Sequence, residues 1–276
     1  MKFFGSILNF LEATMKTPTN FSWFHLMFIA IAISITVLLC IKFKNCDDKI
    51  FRRIVFIGWI LLVVLEVYKQ IVFTFDYDGT TITGDFQWYA FPFQFCSTPL
   101  FALPFIAFLK DGKIRDAVIM YMATFSLFAG LAVFVYPNDV FIETIGINIQ
   151  TMIHHGSQIV FGIFFAAYFR KKLNLKRFLS SIAVFAVFCS IAIFLNIIVH
   201  HAFIANGIDE TFNMFYISPY YPCTLPILST VYEKVHYSLF IILYIFGFAL
   251  VAYILYNIEN LIINLSEKGK KNVKLQ

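Results

Sequence analysis

Charge is scarce in this chain: only 13% of its 276 residues are Asp, Glu, Lys or Arg, while 60% are hydrophobic and 36 are phenylalanine. That balance excludes a water-facing globule, which has nowhere to hide so much apolar surface. Cysteine is sparse and unpatterned. Cys40, Cys46, Cys96, Cys189 and Cys223 make an odd total without a CxxC pair, which argues against a disulfide framework and a thiolate metal cluster. No inverted repeat is evident, no soluble domain hints at a protein partner, and no cofactor is expected. The N-terminal region is not expected to be a signal peptide, because Glu12 interrupts its apolar content and no small-residue cleavage site precedes the first long apolar run.

Long apolar runs are what the sequence has instead. A membrane-crossing helix needs about 20 apolar residues, and seven runs qualify: 21–42, 54–75, 87–109, 117–136, 145–169, 178–200 and 235–258. The expected fold is all-α, a polytopic bundle of seven transmembrane helices. Basic residues fall in alternate loops. Lys42, Lys44, Lys49, Arg52 and Arg53 occupy the first, Lys110, Lys113 and Arg115 the third, and Arg170, Lys171, Lys172, Lys176 and Arg177 the fifth. With Lys268, Lys270, Lys271 and Lys274, 17 of the 21 basic residues reach one side. The positive-inside rule makes that side cytoplasmic and the N-terminus external. Asp76, Asp78, Asp85, Asp139, Glu143, Asp209 and Glu210 lie on the other side. The expected organisation is an outer N-terminal segment (1–20), a transmembrane domain (21–258) with an aromatic and proline-rich outer cap at about 201–230, and a basic cytoplasmic tail (259–276). The net charge of +5 reflects topology and attraction to anionic lipid heads, with no case for nucleic acid.

One run is unlike the others. Residues 87–109, QWYAFPFQFCSTPLFALPFIAFL, carry Cys96 and three prolines. In a helix, Pro92, Pro99 and Pro104 would free the carbonyls of Trp88, Phe95 and Leu100, which inside a bilayer need partners from neighbouring helices or cavity water. This segment reads as the wall of a site.

Polar residues point to the same region. In the fifth run, Asn148, Thr151, His155 and Gln158 recur at helical spacing, with Gln150, His154 and Ser157 beside them. Such a stripe must face the bundle interior, as a site wall or as interhelical glue. Glu66 and Lys69, three apart in the second run, can pair structurally or line a cavity. His25, about a turn inside the first run, is a hydrogen-bonding or a site residue. Counted at about 1.5 Å per residue, Cys96, His155 and Glu66 share a depth of about 14 to 15 Å from the outer ends. His25, Lys69 and Asn196 lie nearer the surface. The convergence predicts one outward-opening polar cavity. The His200–His201 pair has no carboxylate or cysteine at ligand spacing, so no metal is expected. Residues 3–14, FFGSILNFLEAT, form an amphipathic run that either lies flat on the outer surface or frays.

FSWFHL with His25, FPFQFCST with Cys96, GLAVFVYP, IHHG with His155, and FNMFYISP with Asn213 together resemble the YwaF-like bacterial integral membrane proteins, a group related to the vertebrate lipid acyltransferase transmembrane protein 164. The resemblance covers most of the runs in order. It departs at Gln94, where family members often have a histidine. It implies a multi-pass protein of the bacterial cell membrane that moves acyl chains between phospholipids and lysolipids, with Cys96 as nucleophile and His155 as base. A buried thiol is inert unless a neighbouring base favours the thiolate. His25, Glu66, Lys69, His154, Gln158, Asn196 and Asn213 are the candidate substrate-binding residues, with Gln158, Asn196 or backbone donors near Thr98 for the oxyanion. Two other functions fit these residues: a transporter or channel using Glu66, Lys69 and His155, and a non-catalytic lipid sensor in which Cys96 is a small core residue.

Overall fold

A computed structural model describes residues 2–137 and 140–273. Asp139 and Lys274, and the side chains of Lys268, Lys270 and Lys271, lie outside the described residues. Among the described residues the architecture is all-α apart from one short hairpin, and five helices are long and apolar enough to cross a membrane: Trp23–Phe43, Lys113–Val135, Ile145–Lys172, Leu175–Asn206 and Tyr237–Ser266.

Helix α1 (Lys2–Leu11) is amphipathic. It buries Leu8 and leaves Phe3, Phe4 and Phe10 exposed. The chain after it is held down: Thr14 bridges Thr144, the Met15 N–H donates to the Glu143 carbonyl at 2.7 Å, and the Ile145 N–H donates to the Ala13 carbonyl at 2.9 Å. Helix α2 (Trp23–Phe43) follows, then α3 (Asp48–Thr74), whose N-terminus is capped by the Asp47 carboxylate accepting from the Ile50 N–H at 2.8 Å. Helix α3 runs into an antiparallel hairpin, β1 (Phe75–Tyr77) and β2 (Ile82–Gly84).

The stretch 87–109 is not one helix. Two 3-10 turns, Trp88–Ala90 and Phe95–Ser97, precede a ten-residue helix α4 (Pro99–Phe108). Pro92 holds Phe91 out of the helical region, at ψ 136°, and regular helix begins only at Pro99, a first-turn position where the missing N–H costs nothing. The exposed carbonyls find partners nearby. Trp88 accepts from the Phe91 N–H at 3.2 Å, Phe95 from the Thr98 hydroxyl at 2.8 Å, and Leu100 from the Trp59 indole of α3 at 2.9 Å.

Helices α5 (Lys113–Tyr121) and α6 (Leu127–Val135) are joined through a π turn, Met122–Ser126. Helix α7 (Ile145–Phe169) packs along α6 and α2, and Gly130 of α6 permits a close approach. A Cβ there would lie 2.7 Å from the His155 carbonyl oxygen and 2.8 Å from Gln158 Cβ. Helix α8 (Leu175–Asn206) ends on Gly207 in the left-handed conformation. Helices α9 (Leu228–Lys234) and α10 (Tyr237–Val273) complete the chain.

Basic loops meet at one end of the bundle. Arg115, 3% exposed, donates to Asp48 at 2.6 Å and to the Ile106 carbonyl at 2.9 Å, while Arg177 donates to Asp116 at 2.9 Å and Lys172 to Asp111 at 3.1 Å. At the opposite end, the cap after α8 is a folded unit. The Asn196 amide clasps Met214 from both sides, donating to its carbonyl at 3.1 Å and accepting its N–H at 2.7 Å. Phe215 and Tyr216 then take positive φ values of 59° and 56°. Consecutive left-handed non-glycine residues are strained and persist only where neighbours over-determine them. Phe215 is fully buried against Phe93, Phe95 and Phe185, and its carbonyl accepts from the Tyr244 hydroxyl at 2.9 Å.

Two substitutions test this packing. Asn196→Ala strands two buried backbone groups, at about 1 to 3 kcal/mol each, so its unfolding midpoint falls well below that of Asn206→Ala on the exposed end of the same helix; equal midpoints would deny the clasp. Gly130→Leu, with no room against α7, lowers the yield of folded protein far more than Gly79→Ala in the exposed hairpin turn.

Candidate functional site

Cys96 sits in the second 3-10 turn and is partly buried. Its carbonyl accepts two hydrogen bonds from α7, one from His154 Nε2 at 2.9 Å and one from Gln158 Nε2 at 2.8 Å. A carbonyl only accepts, so both nitrogens are donors, and this fixes the amide orientation and the histidine tautomer. A neutral His154 is therefore bare at Nδ1, a buried atom without a partner. Gln158 Oε1 lies 3.1 Å from His155 Nδ1, so His155 donates there and presents its Nε2 lone pair. A hydrogen-bonded line thus runs from His155 through the Gln158 amide to the Cys96 backbone. No hydrogen bond joins the Cys96 thiol to either imidazole.

The polar stripe of α7 faces inward. Asn148, Gln150, Thr151, His154, His155 and Gln158 are all buried. Its first turn is spent on structure, for the Asn148 amide exchanges two hydrogen bonds with the Ile142 backbone, at 2.7 and 2.9 Å.

Helix α3 supplies the third wall. Lys69 Nζ pairs with Glu66 Oε1 at 2.8 Å, and the Gln70 amide bridges Glu66 Oε1 at 2.7 Å to the Ala90 carbonyl at 2.9 Å. The second Glu66 oxygen is buried without a partner. Lys69 is near enough to act electrostatically on Cys96, His154 and His155, and Glu66 on Cys96 and His154. Glu66 and Gln70 also line an open groove of about 500 Å³ between α3 and the 87–101 segment, otherwise walled by Trp59, Val67, Leu100 and Phe101. Below Cys96, the Tyr121 hydroxyl donates to Thr98 Oγ1 at 2.8 Å.

The structure therefore gathers Cys96, His154, His155, Gln158, Glu66 and Lys69, and leaves three candidates apart. His25 accepts the Phe21 N–H at 3.0 Å through Nδ1 and packs on Phe134 and Phe141; it lies beside the Phe134 carbonyl, though its Nε2 makes no well-formed hydrogen bond. Asn196 is committed to Met214. Asn213 donates to the Pro222 carbonyl at 3.0 Å and accepts the Ser218 N–H at 2.9 Å. Gln94 ties the cap to the cysteine segment, accepting the Phe215 N–H at 2.9 Å and donating to the Asn213 carbonyl at 3.3 Å. His200 stacks on Tyr220, and His201 Nε2 lies 3.2 Å from the Tyr220 hydroxyl; among the described residues, no cluster of three or more His, Cys, Asp or Glu could hold a metal. Sequence reasoning missed the use of the Cys96 carbonyl as the anchor for α7. Its only signal was the four-residue spacing of His154 and Gln158.

Comparison with known proteins is sparse but covers most of the chain. No curated protein and no solved structure matches it. The family model described as TMEM164 family matches residues 20–258, from just before α2 to within α10, and so takes in the cysteine segment, both histidines and the cap. This chain belongs to the TMEM164 family.

Proposed function

We propose that this protein is a membrane-embedded acyltransferase that moves fatty acyl chains between phospholipids and lysolipids through a thioester on Cys96. The observation that carries the proposal is the gathering of Cys96, two histidines with free lone pairs and the Glu66–Lys69 pair, of which Glu66 also lines a mostly apolar groove. An acyl chain enters that groove from the bilayer, lying on Val67, Trp59 and Phe101, with its ester beside Cys96.

His155 Nε2, or His154 Nδ1 through water, takes the thiol proton as sulfur attacks the ester carbonyl. The glycerol oxygen leaves with that proton, and the thioester remains. A lysolipid hydroxyl then attacks the thioester carbon and gives its proton to the same imidazole, and the sulfur departs to regain it. The open Glu66 oxygen is an acceptor placed to orient the incoming hydroxyl. Lys69 stabilises negative charge developing at the reaction centre.

The proposal includes topology. Helix α3, at 27 residues, and the 87–109 segment join the five long apolar helices as crossings, giving seven, with the basic end cytoplasmic and the cap outside in a bacterial cell membrane. The cysteine segment then enters from the outer face as irregular backbone. Such backbone survives at membrane depth only where protein surrounds it, as α7 and α3 do here.

Intact-mass measurement after incubation with phospholipid vesicles tests the chemistry. Wild type gains a hydroxylamine-sensitive acyl mass. Cys96→Ser either lacks it or holds it as a stable ester, and Cys96→Ala stays folded without transfer. Normal transfer by Cys96→Ala would exclude the covalent route. Peptide-mapped labelling of intact cells with an impermeant maleimide tests topology: a cysteine placed at Asp78 labels from outside and one at Lys113 only after permeabilisation, and the reverse pattern would invert the protein.

A further inference from the structure

A second cavity, of about 550 Å³, opens between α2, α6, α7 and α10 near the basic end, and it shares no lining residue with the groove between α3 and the 87–101 segment. Its walls are largely aliphatic, among them Leu131, Ile163 and Ile262, with Cys40 on one side and Lys44 and Arg170 also lining it. Into this lining α10 places Glu259, 9% exposed, with both carboxylate oxygens buried and without a hydrogen-bond partner. A lone carboxyl group in such surroundings loses its water and gains nothing in return. Ionisable groups at membrane depth that persist without a protein partner mark sites where something else supplies the partner. Among the described residues that line the cavity, Glu259 is the one carboxylate, and Ser266 of the same helix adds a hydroxyl.

We propose that this cavity binds a single-chain lipophilic amine, with its ammonium on Glu259 and its chain along Leu131, Ile163 and Ile262. Two unpartnered acceptor oxygens need two donors. One ammonium supplies three donors and the compensating charge, whereas a hydroxyl supplies one donor and no charge. The aliphatic walls match a chain. A cavity of about 550 Å³ takes one such chain, with Lys44, Arg170 and Ser266 as its remaining polar lining. The site is independent of the Cys96 chemistry, and its occupancy is measurable whether or not acyl transfer occurs.

The experiment uses full-length protein in lipid nanodiscs and a hexadecylamine carrying a photoreactive diazirine on its chain, with labelled peptides located by mass spectrometry. Labelling is expected on α10 and on the facing parts of α2 and α7. Excess unlabelled hexadecylamine suppresses it, and equal hexadecanol leaves it in place. Glu259→Gln preserves shape but removes the charge, and it lowers labelling about tenfold, the loss expected for one charged hydrogen-bonded contact. Ile163→Trp, at a partly exposed wall position, blocks the chain and has a similar effect. Equal competition by hexadecanol, undiminished labelling of Glu259→Gln, or labelling spread evenly over all bilayer-facing helices would each overturn the proposal. The comparison of amine with alcohol on wild type decides the matter even if a variant fails to fold.

Discussion

A buried peptide carbonyl must find a donor within the protein, and the arrangement of this protein's centre follows from satisfying the carbonyl of Cys96. The prolines on either side keep the 91–98 segment from closing its own helical bonds. Two side chains from α7 come to it instead, and because a carbonyl accepts from both, His154 and Gln158 lose their rotational freedom. The Gln158 amide, fixed by one end, then fixes His155 by the other. What would be structural repair elsewhere in a membrane protein here sets the tautomers of two imidazoles beside a thiol. The same rule governs the edges of the segment, where Trp59 takes the Leu100 carbonyl and Gln70 takes that of Ala90.

Satisfaction of backbone also explains the cap. Asn196, Asn213 and Gln94 all spend their amides on the 213–222 chain, which holds Phe215 and Tyr216 in a conformation the backbone would otherwise leave. Gln94 matters most because it joins the cap to the cysteine segment with two bonds of opposite sense. An amide can donate and accept at once from its two terminal atoms. A neutral imidazole does so only across its ring, along diverging directions, so a histidine in this place would hold the two backbones differently.

Much of this was readable from the chain and some was not. Residues 148–158 carry polar side chains at helical spacing, and the inward face of that half of the helix followed from spacing alone. The depth count placed Cys96, His155 and Glu66 at one level because α3 and α7 are regular helices, along which residues convert to distance. The same count treated 87–109 as helical, where proline density instead set the backbone as two 3-10 turns and a ten-residue helix. Helix ends erred where polar residues continue past the apolar run, as at His200 to Asn206. Glu259 was passed over because the residue next to a basic tail looks like the end of a span, and only packing reveals that its carboxylate is enclosed. The roles of Asn196 and Asn213 were equally hidden, since a polar residue in an apolar helix looks the same whether it holds backbone or ligand.

The pairing of residues 13–15 with 143–145 joins parts of the chain separated by about 130 positions. During synthesis the N-terminal segment leaves the ribosome long before its partner, and everything from α2 to α6 must be placed in the bilayer in between. Helix α1 meets other partners sooner, since Tyr77 of β1 packs on Gly5 and the Tyr68 hydroxyl of α3 donates to the Leu11 carbonyl at 2.8 Å. The bonds of residues 13–15 therefore close after the rest of the N-terminal segment can already rest on α3 and β1, because they wait for residues 143–145.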